Sequence, residues 1–325
     1  MENKKAIITG INGQDGSYLA ELLLNKGYEV HGIVRRHSVA EAQTWRLNKA
    51  GIFGHSNLYL HYGDVLDMGS LISVFKKVKP NEVYHLAAQS HVKISFDEPQ
   101  YTTDSIVTGA INILECMRNF SPKARLYMAG SSEMYGNEYD NDGYRREETP
   151  MRPVSPYGCA KLCAFNLAKV YRDSYNLFIC NGILFNHESP RRGETFVTNK
   201  IVNGAVRIKK GLDKRLSLGN LDAARDWGHA KDYVLAMWLM LQHPHPDDYV
   251  CATGVSHTIR ELCDLVFGKL GMVYEEYVGM DAKYFRPNEL HVLKGDCSKL
   301  KNVLGWNPEY SFEDMITEMI QEAEN

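Results

Sequence analysis

Residues 4–27, "KKAIITGINGQDGSYLAELLLNKG", place a β-rich apolar run, a turn with glycines at three-residue spacing and an amphipathic helix in one short stretch. Leu19, Leu22 and Leu23 share a helix face, and Gly27 suits the residue just past the helix end. A strand that passes through a glycine turn into a helix leaves backbone N–H groups uncovered at the helix N-terminus. Such a turn is built to hold a phosphate. A glycine triplet is weak evidence by itself, and it gains weight from its place at the first strand–helix junction.

The pattern continues. "EVHGIV", "NLYLHYGD", "NEVYHLAA", "ARLYMAGSS" and "FICNGILFN" alternate with helical stretches at "GSLISVFKKV", "SIVTGAINILECMRNF" and from about Tyr157. Continuous apolar runs separated by amphipathic helices predict a parallel sheet covered on both faces, a Rossmann-type doubly wound α/β fold. From about residue 187 the alternation loosens. Short strands ("RLSLG", "YVCATG") mix with helices expected at "RDWGHAKDYVLAMWLMLQ", "TIRELCDLVFGKLG" and "SFEDMITEMIQEA". The expected division is a dinucleotide-binding domain over 1–185 plus about 218–252. A smaller α/β substrate-binding domain takes about 186–217 and 253–325.

The chain has 325 residues and a net charge of -3, which gives no footprint for nucleic acid or an anionic membrane. "MENKKAIITG" lacks an apolar stretch of signal-peptide length, and no apolar run reaches a membrane span. Seven cysteines without C-x-x-C pairs read as reduced thiols of a cytoplasmic protein, most of them in the core, and no metal site is expected.

The second strand ends "GIVRRHS". An NAD site usually wants an acidic residue there for the ribose 2′-hydroxyl. Arg35 and Arg36 instead suit a 2′-phosphate, with Ser38 beyond, so NADP is the expected cofactor. A solvated basic loop is the plain alternative. Asp64, after the third strand, is placed to meet the adenine, and the small residues of "LAAQS" (86–90) let backbone lie close to the cofactor.

"VSPYGCAK" (154–161) sets Tyr157 and Lys161 four residues apart, on one face of a helix that Pro156 opens. Alone, the pair reads as a core aromatic and a solvated lysine. Downstream of a nicotinamide site, the lysine charge and an oxidised nicotinamide would draw the phenol from about 10 toward neutrality, making it a base for a substrate alcohol. Ser131, in "GSSEMYG", adds a hydroxyl for the same oxygen. Glu133, two residues on, is either a loop glutamate facing solvent or a base for a carbon-bound proton.

Together these stretches resemble the extended short-chain dehydrogenase/reductase family nearly end to end. "NHESPRRGETFVTNKI", "LGNLDAARDWGHAKDYVLAMWLMLQ", "ATGVSHTIREL" and "YFRPNEL" are similar to one subfamily, the GDP-mannose 4,6-dehydratases. The resemblance implies conversion of GDP-mannose to GDP-4-keto-6-deoxymannose. It implies a catalytic set of Ser131, Glu133, Tyr157 and Lys161. Cofactor contacts are implied at Gly10, Asn12, Gly13, Gln14, Asp15 and Gly16, then Arg35, Asp64, Val65, and Leu86, Ala87, Ala88, Gln89 and Ser90. Tyr101, Lys161, His187 and Arg192 complete them. GDP-sugar contacts are implied at Asn186, Lys200, Arg225, Arg286 and Glu289, with Ser90, Ser131 and Glu133 near the sugar. A diphosphate calls for guanidinium groups, and Arg225 and Arg286 are the candidates. "RDWG" also fits a salt bridge at a helix start. The subfamily further implies a homodimer, or a tetramer of paired dimers. Three positions depart from its pattern: Ser131 for threonine, and Val154 and Asn199 for arginines. Another nucleotide-hexose or a GDP-heptose as substrate, or 4-epimerase or 4-reductase chemistry, are the alternatives, and Glu133 argues against the last two.

Overall fold

A computed structural model describes residues 3–36, 43–285, 288 and 290–325. The strands run in chain order β1 (Lys5–Thr9), β2 (Glu29–Val34), β3 (Leu58–Tyr62), β4 (Glu82–His85), β5 (Arg125–Ala129), β6 (Phe178–Leu184), β7 (Asn186–Glu188), β8 (Leu216–Leu218), β9 (Ala224–His229) and β10 (Asp248–Cys251). One parallel sheet of seven strands is ordered β10-β6-β5-β4-β1-β2-β3. The order reverses between β1 and β4. The crevice outside the carboxyl ends of these two strands is where such sheets bind ligands.

Period-two alternation explains the two cores. In β1, Ala6 and Ile8 enter the face covered by the helices Gln14–Asn25 and Ala230–Gln242, with Leu19, Leu23, Tyr233 and Met237. Ile7 enters the opposite face, against the helices Met68–Val78, Gly109–Phe120 and Pro156–Tyr175, with Phe75, Ile113 and Ala164. Both faces of the central strands are covered, so those strands read as unbroken apolar runs. Several helices start on side-chain caps. Asp67 accepts from Gly69 N, Ser155 accepts from Gly158 N with Pro156 in the first turn, and Thr258 forms a capping box with Glu261.

A third core gathers Ile201, Val202, Trp227, Leu262, Phe267, Met315 and Ile316. It lies among the helices Val197–Lys209, Ile259–Lys269 and Phe312–Glu324. Cys297, Leu300 and Trp306 pack into the main-sheet core.

One expectation fails here. Residues 225–229 are not the start of a helix. They belong to β9, which pairs in parallel with β7 and with Val292–Leu293, and antiparallel with Ser256–Thr258. The helix begins only at Ala230, where His229 accepts from Lys231 N at 3.0 Å. Every residue of β9 is buried. Neighbouring strands satisfy its backbone, and Asp226 takes the N–H groups of Thr253 and Gly254. Tertiary pairing overrides the local helical period.

Among the described residues no helix is long and apolar enough to cross a membrane. All seven cysteines are free, with Cys159 and Cys163 exposed and the other five buried.

Candidate active site

The crevice is a cleft of about 1,280 Å³. Its floor is the turn after β1. Gly10 has φ +72°, and a Cβ there would lie 3.0 Å from the Ala87 backbone. A Cβ on Gly16 would lie 2.2 Å from Gly10 O. Only glycine permits this packing of turn, helix start and "LAAQS" segment. Thr9 Oγ1 accepts from both Leu86 N and Ala87 N at 3.1 Å, which fixes the segment against β1. Gly10, Asn12, Gly13, Gln14, Asp15 and Gly16 line the cleft, and so do Asp64, Val65 and Leu86 to Ser90.

Asp15, in the first helical turn, pairs with His187 Nε2 at 2.8 Å, and Phe185 O accepts from Nδ1 at 2.8 Å. Burial alone would raise the carboxyl and lower the imidazole. Their mutual charge and hydrogen bond reverse both, so Asp15 lies below its ordinary value and His187 above. Gln14 ties the same turn to the end of β7 through His187 O and the Ser189 hydroxyl.

Ser131 and Glu133 stand on the turn after β5. Both are buried, and Ser131 Oγ accepts from Glu133 N at 3.2 Å. Tyr157 and Lys161 reach them from the helix that begins at Pro156. Gly158 sets that approach, because a Cβ there would lie 2.7 Å from Glu133 O. Tyr157 N donates to Ser95 Oγ at 3.2 Å, and its side chain lies close enough to Ser131 for the serine to influence the phenol. Lys161 Nζ donates to Ala129 O at 2.8 Å and lies 5.9 Å from the centre of the Tyr157 ring. All four line one stretch of the cleft. The sequence leads to a phenol lowered by the lysine charge and an oxidised nicotinamide together, whereas the net effect of the protein's own groups is to raise it. Burial pushes Tyr157 up to about 12, with the Glu133 charge adding to it, against the opposing influence of Ser131. Burial likewise brings Lys161 down to about 8.

A family model described as GDP-mannose 4,6 dehydratase matches residues 7–319. The chain belongs to the GDP-mannose 4,6-dehydratase family. It is 51% identical to GDP-mannose 4,6 dehydratase 2 of Arabidopsis thaliana, over 98% of this chain and 86% of that protein. It is 47% identical to GDP-mannose 4,6 dehydratase of Homo sapiens, over 97% and 90%. Among solved structures, DesIV (dTDP-glucose 4,6-dehydratase) from Streptomyces venezuelae, with NAD and TYD bound, superposes with a TM-score of 0.86 at 25% identity, covering 98% of this chain and 96% of that one. RMD from Pseudomonas aeruginosa, complexed with NADPH, shares the fold at a TM-score of 0.80 and 23% identity, with 99% of each chain covered.

In this member of the GDP-mannose 4,6-dehydratase family the remaining expected residues divide. Arg35 lines the cleft and donates to Tyr101 OH at 2.7 Å, and Tyr101 lines it too. Arg36 is exposed, turns toward the Tyr62 ring at 5.9 Å and is not among the lining residues. The two neighbouring arginines thus differ in place, Arg35 on the cleft wall and Arg36 off it. Asn186, His187, Arg192 and Lys200 line it. Lys200 Nζ donates to Ser217 O and sits 3.4 Å from the centre of the Tyr284 ring. Arg225 is a strand residue, buried outside the lining, and donates to Ala224 O and Leu290 O. It therefore stands within a strand and not at a helix start. Ser38, Arg286 and Glu289 lie outside the described residues. Glu188, a second buried carboxylate of the cleft, is held by Arg192 Nε at 3.0 Å and by the Thr198 hydroxyl. Sequence reading missed Arg46, His91, Phe196 and Tyr284, which also line the cleft. Of these, Arg46 alone carried a signal, as a cation close behind Arg35.

Proposed function

We propose that the protein converts GDP-mannose to GDP-4-keto-6-deoxymannose and water, with NADP as its cofactor. The observation that carries the reading is the buried carboxylate of Glu133 beside Ser131, facing the Tyr157–Lys161 helix in one cleft. A dinucleotide fits the residues present. The turn after β1 brings Gly10, Gly13 and Gly16 to the cleft with no side chain in the way, it opens at a helix N-terminus, and Arg35 faces the same cleft. DesIV and RMD, named above with NAD and NADPH, support a nicotinamide cofactor, and Arg35 favours the 2′-phosphorylated form.

When bound, the nicotinamide supplies the acceptor for the hydrogen taken from sugar C4 and the donor that returns it to C6. The chain's own residues handle the protons. Ser131 donates a hydrogen bond to the C4 oxygen, and Tyr157 removes its proton. Lys161 favours the phenolate by its charge. The ketone at C4 acidifies the C5 proton, which Glu133 takes and passes to the C6 hydroxyl as it leaves as water. A solvent proton then replaces the one lost at C5. Atoms balance with one water released and no net use of cofactor. The main sheet holds the cofactor and the region from 186 onward holds the GDP-sugar, through Asn186 and Lys200 in the cleft wall. The test is to offer GDP-mannose, dTDP-glucose and a GDP-heptose separately and follow loss of water by mass spectrometry. Turnover of GDP-mannose well above the others is expected, and a preference for either rival would overturn the substrate assignment.

A further inference from the structure

Arg46 lies on the short helix Trp45–Lys49 and lines the same cleft as the catalytic turn. Its Nε donates to Arg191 O at 2.7 Å and its Nη1 to Asn12 O at 3.2 Å. These bonds stretch the guanidinium between the phosphate turn and the turn that follows β7. The Trp45 ring, 4.3 Å away, supports it from the side. A guanidinium carries five N–H groups in a rigid fork. Two are used here, and the other three have no partner among the described residues. Arg192 stands in the same wall, and its charge, after burial, lowers the Arg46 pKa. Glu188 balances Arg192. Arg46 has no carboxylate of its own among the described residues. Two cations crowded into a partly buried wall call for an anion between them.

We propose that Arg46 grips the pyrophosphate of the dinucleotide, as a binding residue separate from Arg35. Its anchor identifies the group. Asn12 belongs to the turn whose N–H groups face the pyrophosphate, whereas Arg35 sits at the end of β2 and is tied to Tyr101. The proposal rests on the functional reading only in requiring that a dinucleotide bind.

Calorimetric titration of the full chain with NADP, NAD and GDP, in the parent, R46A and R46K, tests it. R46A is expected to bind both dinucleotides about ten-fold or more weakly, as loss of a charge-assisted contact implies. The preference between them and the affinity for GDP should stay unchanged. R46K, which keeps the charge without the fork, should fall between. Raising salt should weaken the parent more than R46A, which a purely structural role would not produce. Equal dinucleotide affinity in parent and R46A would overturn the proposal. So would a loss confined to NADP, which would mean the 2′-phosphate, or one confined to GDP, which would mean the substrate. A parent chain that binds no dinucleotide at all would instead sink the functional reading. Melting curves of both variants separate misfolding from lost contact, and R46K decides if R46A fails to fold.

Discussion

Replacing Lys161 with methionine isolates its charge. The ammonium lies 5.9 Å from the Tyr157 ring centre. At an effective dielectric constant of about 20, one charge at that range is worth about 3 kcal/mol, or about two pK units. Burial has already raised the phenol to about 12. Without the lysine the phenolate fraction near pH 7 should drop about a hundred-fold, and kcat at saturating cofactor should drop with it. The pH dependence makes the argument specific. Lys161 is brought down to about 8, so it is charged below that pH and neutral above it. The gap between parent and K161M should therefore be widest below pH 8 and close as pH rises past it. Stability should change little, because loss of the bond to Ala129 O is offset by removal of a buried charge. A pH–kcat profile measured with saturating GDP-mannose reads this out. A uniform loss at every pH would refute the electrostatic role and leave only positioning of the cofactor.

Glu133→Gln should still bind GDP-mannose in calorimetry. It should release less than about a hundredth of the parent's water, since a general base contributes about 10²–10⁴-fold. Near-parental turnover would move the role to Glu188, the other buried carboxylate of the cleft. Gly16→Ala drives a Cβ to 2.2 Å from Gly10 O, so melting should show a loss of about 1–3 kcal/mol, with dinucleotide binding lost in titration. The Asp15–His187 pair sets a pH window. Asp15 is lowered, so its contribution is present above the ordinary carboxyl range and lost as pH falls through its folded value. His187 is raised, so its contribution is whole below about 6.5 and lost as pH rises through its folded value. His187→Gln should accordingly lose most stability near pH 5–6 and least near pH 9. Equal losses at both, in melts at each pH, would mean the pair is not charged.

Much of this site could be read from local pattern. The glycine turn, the "LAAQS" segment and the Tyr157–Lys161 spacing each follow from backbone geometry within a few residues, and the structure places them around one cleft. What escaped was set by distant partners. β9 reads as helix because its pairing strands lie at residues 186–188, 256–258 and 292–293. Arg36 looks equivalent to Arg35 in the sequence, and the structure sets only Arg35 on the cleft wall. Arg46 acquires its role only when its guanidinium meets carbonyls of Asn12 and Arg191. The high phenol pKa of Tyr157 is a consequence of burial, which spacing along a helix does not record.

This chain is expected to dehydrate GDP-mannose while moving the C4 hydrogen to C6 of the same molecule. GDP-mannose carrying deuterium at C4, incubated with the protein in ordinary water, tests it in one measurement. Mass spectrometry and proton NMR should find a sugar nucleotide lighter by one water, with the deuterium in the new C6 methyl group. A parallel run with unlabelled substrate in deuterated water should place deuterium at C5. A product of unchanged mass inverted at C4, or a dehydrated product with the C4 label lost to solvent, would contradict the account.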